Sequence, residues 1–393
     1  MNRRNEVSGS GENFQCLHGP SFDSETVAKF HLFFYGDRVD GGGVMSNCTP
    51  AKKGFSMPAE WEPHEATWIS WPHADGSSFP GPGAYQRVLP AFVKMVEALA
   101  ESEIVRINVK DSAQESVVRG LLQGAPPERV EFFHVPTDEP WCRDHGPIFL
   151  TRKQSPKLSA IDFGFNAWGY KLSPFESDDA AATVIGEKLG IPVFDRGDFI
   201  LEGGSIEVNG KGTVLTTESC LLNPNRNPSL SREQIEQQLR DCLGVQQVLW
   251  LGDGIEGDDT DGHVDDITRF VNAETVVTVV EEDVDDPNFE PLQANLHRLL
   301  EVRLHNDQPL HVLKLPMPSR LARDGRRLPA SYANFYIGNT VVLLPAYQDT
   351  NDAWADAVLK EVFPTRKIVP IDCRELIWGL GAFHCLTQQQ PAV

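Results

Sequence analysis

Cys385, close to the C-terminal end, sits in Phe383-His384-Cys385-Leu386-Thr387 ahead of three glutamines, and four reactive side chains recur upstream of it. Asp144 lies in Trp141-Cys142-Arg143-Asp144-His145-Gly146-Pro147 and Glu202 in Leu201-Glu202-Gly203-Gly204-Ser205. His263 and Asp265 share Gly262-His263-Val264-Asp265-Asp266. A thiolate is a strong nucleophile and forms readily beside a cation. Two carboxylates, Asp144 and Asp265, only accept hydrogen bonds and suit a planar cation that donates them in a fork. An imidazole titrates near neutrality, so His263 can protonate a leaving amine and then take a proton from water. Glu202 could hold that imidazole in one orientation. Together the parts suit attack on the central carbon of a guanidinium group. The steps from Asp144 to Glu202, His263 and Cys385 are 58, 61 and 122 residues, close to one, one and two copies of a single unit. A ring of similar supersecondary units would bring such positions to one axis.

Taken singly, each residue has a plainer reading. An aspartate before His or Gly is often a turn or cap residue, and Glu202-Gly203-Gly204 suits the end of a strand. His263 with Asp265 could be half of a metal site. A single cysteine is often buried filler, the reading given to Cys16, Cys48, Cys220, Cys242 and Cys373, while Cys142 is ambiguous beside the Asp144 motif. His145 and His384 read as neighbours of the site or as structural. A zinc hydrolase using His145, His263, Cys142 or Cys385 lacks any compact ligand pair at the usual spacing.

Positioning distant residues in one cleft needs a folded scaffold, and 393 residues can bury a large core. No apolar run reaches the ~20 residues of a membrane span, so no membrane association is expected. The net charge of −21 disfavours nucleic acid as partner and weakly favours cationic ligands. Seven cysteines without paired spacing suit a reducing, cytoplasmic setting. Residues 1–56, with Gly41-Gly42-Gly43 and no sustained periodicity, read as a disordered N-terminal extension. From Met57 to Val393 strand-like runs alternate with helical patterns and no linker interrupts them, which predicts a single α/β domain. Strands are expected near 103–110, 130–136, 205–208, 212–217, 275–280, 311–315 and 341–344, with tight turns at Asn209-Gly210 and Gly338-Asn339. Helices are expected near 85–100, 177–189, 231–243, 287–303 and 352–363. The clearest has Ser231 and Gln234 as a capping box, Ile235, Leu239 and Leu243 on one face, and Gly244 as its stop.

The motifs in combination are more specific than any alone. Met57-Pro58-Ala59-Glu60-Trp61, Trp141 to Pro147 and Asp162-Phe163-Gly164-Phe165-Asn166-Ala167-Trp168-Gly169 resemble the agmatine deiminase family, relatives of bacterial-type peptidyl-arginine deiminase. So do Leu201 to Ser205, Leu221-Leu222-Asn223-Pro224-Asn225-Arg226-Asn227-Pro228, Gly257 to Asp265 and His384 to Pro391, in matching order over residues 57–391. The chain departs from the common pattern before the thiol, where many relatives carry Gly-Gly-Asn-(Ile/Leu)-His-Cys and this chain reads Leu380-Gly381-Ala382-Phe383-His384-Cys385.

The resemblance implies a five-bladed pseudo-symmetric α/β propeller (pentein) of ββαβ units. It implies Cys385 as nucleophile, His263 as general acid and base, Asp144 and Asp265 as guanidinium clamps and Glu202 as support. Trp141 is expected to wall the pocket, where its face could stack on a planar cation. Glu60 and Asp258, beside matched motifs, are further candidate substrate contacts. The expected reaction converts agmatine to N-carbamoylputrescine and ammonia without metal or organic cofactor, as in putrescine biosynthesis. Peptidyl-arginine or free-arginine deimination and amidino transfer to an amine are the alternatives.

Overall fold

The same run of two strands, a helix and a strand recurs along residues 49–393, which the computed structural model of the chain describes. In chain order the strands are β1 (His64–Ser70), β2 (Ile104–Val109), β3 (Val130–His134), β4 (Ile148–Thr151), β5 (Leu158–Gly164) and β6 (Val193–Ile200). Next come β7 (Glu207–Val208), β8 (Thr213–Thr217), β9 (Gln247–Leu251), β10 (Thr268–Asn272), β11 (Thr275–Val280) and β12 (His311–Pro316). The set ends with β13 (Ala322–Arg323), β14 (Arg326–Arg327), β15 (Tyr336–Ile337), β16 (Val341–Ala346), β17 (Lys367–Asp372) and β18 (Thr387–Pro391).

Five sheets share one three-stranded pairing scheme, extended in one of them by β3 parallel to β2, and β13 and β14 form a separate two-stranded ribbon. Four of the five pair a hairpin antiparallel and add a parallel third strand: β4-β5-β6, β7-β8-β9, β10-β11-β12 and β15-β16-β17. A parallel neighbour needs a crossover, and each has its helix: Glu176–Leu189, Arg232–Leu243, Phe289–Leu300 and Asp352–Val362. In the fifth sheet the antiparallel partner of β1 comes from the other end of the chain. β18 pairs with β1, and β2, reached through helix Ala84–Leu99, pairs parallel on the other side. The last strand therefore fastens the end of the chain to its first sheet, directly after Cys385.

Local chemistry explains the most regular of these units. Ser231 accepts from Gln234 N and Gln234 returns the bond to Ser231 N, satisfying two donors that a helix start leaves open. Ile235, Leu239 and Leu243 are fully buried, a gain of up to about 1.5–3 kcal/mol each. Gly244 ends the helix at φ 69, where a Cβ would meet Phe55 O at 2.7 Å. The expected helices and strands are found with ends shifted by a few residues, whereas β1, β4, β5, β6, β9, β10, β13, β14, β17 and β18 lie outside the expected ranges. β1 and β18 escape because both are buried along nearly their whole length, so neither shows alternation.

The expected disordered extension, residues 1–56, lies outside the described residues as far as 48, and its last part is folded. Ser56 and Thr151 exchange backbone hydrogen bonds of 3.0 and 2.9 Å, and Phe55 is buried edge-on against Phe194. An apolar Phe with a free edge of β4 to pair with outweighs the polar composition around it. Residues Asn47–Val393 form one compact unit. No described helix is long and apolar enough to cross a membrane.

Ending the chain after Leu386 would keep Cys385 but strip β1 of its partner and leave Trp68 and Arg106 without the Gln390 side chain they share. The melting temperature should fall by about 5 °C or more. An unchanged thermal transition in the truncated chain would show that β18 does not hold the fold closed.

Candidate active site

The residues singled out for chemistry stand at equivalent places in successive units, just ahead of each hairpin strand. Asp144 precedes β4, Glu202 precedes β7, His263 and Asp265 precede β10, and Cys385 precedes β18. All five are buried, and four of them adjoin one another. A Cβ placed on Gly204 would lie 2.6 Å from His263 Nδ1, 2.8 Å from Asp144 Oδ1 and 3.1 Å from Asp265 Oδ2. Only a glycine leaves room there for the imidazole and both carboxylates. Cys385 Sγ is 3.6 Å from Asp265 Oδ2 and accepts a hydrogen bond from Asn334 Nδ2 at 3.0 Å.

The two aspartates are held differently. Asp144 accepts from Gly204 N at 2.9 Å and from the Trp168 indole at 3.0 Å, both neutral donors. Asp265 Oδ2 faces His384 Nδ1 at 2.6 Å, and Asp265 Oδ1 has no partner. Burial pushes Asp144 up to about 6 against the pull of His263. Burial would also raise Asp265, but the His384 hydrogen bond and charge bring it below the usual carboxylate range. His263 is raised well above 6.5 despite burial, because Asp144, Cys220 and Asp265 favour its cation. Cys385 is pushed far up by burial and then by Asp265, Asp266 and Asp144. Without a substrate, its sulfur is a thiol.

A cavity with about 170 Å³ of free space reaches Cys385 and Asp144 of this cluster, and His263 and Asp265 lie behind its lining. Cys385, Asp144, Trp141 and Trp168 line it together with Asp259, Thr260 and Arg326. Trp141 packs so closely that a Cβ on Gly381 would come within 2.6 Å of its ring, so the Gly379-Leu380-Gly381 turn requires glycine there. Leu380 itself sits at φ 74, where the common pattern has glycine.

Glu202 accepts no hydrogen bond from His263. Its Oε1 receives Arg226 Nε at 2.6 Å, while Oε2 is buried without a partner. Glu202, Cys220 and His263 each place one ligand-type atom within 4.8 Å of the others, the one such trio among the described residues that could hold a metal ion. Cys142, His145 and Cys385 are not in it. Cys142 is pushed up to about 12 by burial and His145 down to about 4 by burial, so neither is disposed to react.

Two expected substrate contacts turn inward. Both oxygens of Glu60 are committed: Oε1 to Arg269 Nη2 (2.9 Å) and Ile337 N (2.8 Å), Oε2 to Arg143 Nη2 (3.1 Å) and His384 Nε2 (2.8 Å). Asp258 shapes the loop before His263, accepting from Thr260 N at 2.8 Å, Gly262 N at 3.0 Å and His263 N at 3.2 Å. Neither lines the cavity; Asp259 does. A carboxylate with every lone pair occupied by buried donors has none to offer a ligand.

Sequence reasoning passed over Trp168, Gly204, Asn334 and the bridging role of His384. Trp168 lies in a run where Ala167, Trp168, Gly169 and Tyr170 all have positive φ, a conformation no pattern of side chains announces.

The chain belongs to the Porphyromonas-type peptidyl-arginine deiminase family, whose model matches residues 56–391. It is 39% identical over 372 residues to the agmatine deiminase of Pseudomonas aeruginosa, covering 88% of this chain and 99% of that one. Among solved structures it is similar to the agmatine deiminase of Enterococcus faecalis, with a TM-score of 0.82, 36% identity and coverage of 89% and 99%. An agmatine deiminase from C. jejuni with substrate bound gives a TM-score of 0.78 at 32% identity, covering 89% and 98%.

Glu60→Ala would leave two buried guanidinium groups and His384 without their shared anion. Breaking such a buried arrangement is worth about 3–5 kcal/mol. Urea unfolding should show a loss of this size, and a difference below about 1 kcal/mol would contradict the central role given to Glu60.

Proposed function

We propose that the chain hydrolyses agmatine to N-carbamoylputrescine and ammonia, with residues 57–393 acting as a single deiminase catalytic domain. The observation that carries this reading is a sulfur lining a cavity, 3.6 Å from one buried carboxylate, with a second carboxylate and an imidazole converging on the same glycine. The relatives named agmatine deiminase support it over nearly their full length.

A guanidinium stays cationic at all accessible pH and fits between Asp144 and Asp265. Its charge reverses the electrostatics at Cys385. A unit charge about 4 Å away, at an effective dielectric of about 20, contributes about 4 kcal/mol, or about three pH units on the thiol. Substrate binding thus expels the thiol proton to solvent, and the resulting thiolate adds to the central carbon. His263 protonates one terminal nitrogen, the C–N bond breaks, and ammonia leaves a cationic amidino thioether on Cys385. His263, now neutral, takes a proton from water, the hydroxide adds to the same carbon, and collapse expels the thiolate to give the ureido product. Glu202, held by Arg226, supports His263 from behind through the Cys220 side. Trp141 and Trp168 flank the planar group, and Asp259 is the acid disposed for the distal ammonium.

Arg326 lines the same cavity, 3.8 Å from Asp259, and gives one specific reason to keep arginine or arginyl peptides as a second reading, because it could pair with a carboxylate. We further read the five sheets as blades of a five-bladed pseudo-symmetric propeller; the repeated pairing scheme and the return of β18 to β1 support it. A catalytic thiol suits a reducing cytoplasm, and the product lies one hydrolysis from putrescine.

Ammonia release from agmatine, free arginine and an arginyl peptide tests the assignment. Agmatine should be the best substrate, Cys385→Ser should abolish turnover, and His263→Ala should lose about 10²–10⁴-fold or more. Retained turnover in Cys385→Ser would end the reading. With Asp144 at about 6, protonation below that value removes one clamp, so kcat/KM should fall as pH drops through about 6. An acid limb centred far below that value would remove Asp144 from this role.

A further inference from the structure

The cavity carries one charge that a dication such as agmatine leaves unused. Among the described residues that line it, the charged ones are Asp144, Asp259 and Arg326. Asp144 is buried beside the sulfur, whereas the Arg326 and Asp259 side chains are 54% and 37% exposed, which places them at the solvent end. A cation thus stands at the outer end of a site whose inner end is acidic.

Arg326 comes from the β13–β14 ribbon, which turns at Asp324 and Gly325, both at positive φ. The ribbon holds two further arginines, and both are committed. Arg323 lies over Trp378, 4.6 Å from its ring centre, and reaches Glu375 at 3.3 Å. Arg327 is buried and reaches Glu256 at 3.0 Å and Asp286 at 2.7 Å. The Arg326 guanidinium makes no hydrogen bond with any described residue, and its ion-pair partner Asp259 stands 3.8 Å away, beyond hydrogen-bond reach. Its fork of donors is therefore free to take a carboxylate, the group it matches best. A ligand that satisfies both ends of the cavity has a guanidinium at one terminus and a carboxylate at the other. 4-Guanidinobutyrate has this form, with its oxygens at the chain position where agmatine has its amine. It has no net charge, yet its guanidinium brings to Cys385 the same positive charge. Burial first, and then Asp258, hold Asp259 above the usual aspartate range, so it can take a proton and donate it to the incoming carboxylate.

We propose that Arg326 gives the site a second substrate class, ω-guanidino carboxylates, by pairing with the carboxylate at the solvent end of the cavity. The inference rests on the deiminase reading of the same site and uses the same steps. Cys385 Sγ bonds to the guanidinium carbon, a terminal C–N bond breaks with a proton from His263, and water then replaces the sulfur. The products are ammonia and a ureido acid.

The test measures ammonia and ureido product from agmatine, 4-guanidinobutyrate and butylguanidine, which has no charge at its far end. Parent, Arg326→Gln and Arg326→Lys are compared. In the parent, kcat/KM for 4-guanidinobutyrate should exceed that for butylguanidine by about tenfold. Arg326→Gln should erase that advantage through KM, with kcat for 4-guanidinobutyrate within about threefold of the parent. Arg326→Lys keeps the charge without the fork and should keep part of the advantage. With agmatine, Arg326→Gln should lower KM by about two- to threefold, because Asp259 no longer faces a resident cation. A merely structural role would move all three substrates together. A parent that prefers butylguanidine, or an advantage that survives Arg326→Gln, would overturn the proposal. Failure of the parent to turn over agmatine would instead strike the deiminase reading beneath it.

Discussion

Glu60 receives hydrogen bonds from Arg143, Arg269 and His384 and from the backbone at Ile337, groups drawn from four separate stretches of the chain. Each donor has further duties. Arg143 also reaches the Gln389 side chain and the His384 carbonyl, and Arg269 reaches Glu207 and the Phe335 carbonyl. Arg143 adjoins Asp144, and His384 adjoins Cys385 and touches Asp265. The placement of nucleophile and clamps therefore depends on one carboxylate that itself does not line the cavity. Two guanidinium groups and an imidazole in a dry interior need such anions, since isolated buried charges carry a desolvation cost far above any local packing gain.

This arrangement leaves the site short of positive charge at the sulfur. The cations of the network lie behind Asp265, on the side of Glu60, while the carboxylates face the thiol. The free enzyme is thereby protected, as a buried neutral thiol is a poor target for oxidants and alkylating agents. Under the proposed mechanism, reactivity becomes conditional on the charge of the ligand. A small neutral molecule entering the same cavity would leave the thiol neutral, so discrimination by charge and activation of the nucleophile are one event.

Much of this was legible in the sequence where the determining chemistry is local. Helix Arg232–Leu243 follows from its capping box, its buried face and its terminal glycine. The reactive residues are legible from their side-chain types and from the motifs around them, and their nearly regular interval is visible only once they are chosen. What escaped is set by position in three dimensions. β18 reads Thr-Gln-Gln-Gln-Pro, a polar string that becomes a buried strand only because Trp68, Arg106 and Arg143 supply donors to its glutamines. Glu60 and Asp258 were assigned to the ligand because an acid near a motif looks available, and nothing in the sequence reveals that arginines or backbone amides already occupy it. Asn334 carries no titratable group, so its type raised no suspicion.

The pair Asp144 and Asp265 shows how far environment outweighs residue type. Both are buried aspartates beside the same imidazole, and of the two Asp144 lines the cavity. Asp265 leans on His384, which is fixed in turn by Glu60, and this raises the affinity of the site for negative charge at that carboxylate. Asp144 has only an amide and an indole for support, so burial prevails and its proton is held to about 6. In the proposed role, Asp265 would thus be the ionised clamp that anchors the cation, and Asp144 the group whose charge varies with pH. Exchanging their surroundings without moving either carboxylate would exchange these roles. The acid sensitivity of the site is accordingly a property of the β4 unit that carries Asp144, and its anchoring strength a property of the β10 and β18 units that bring Asp265 against His384.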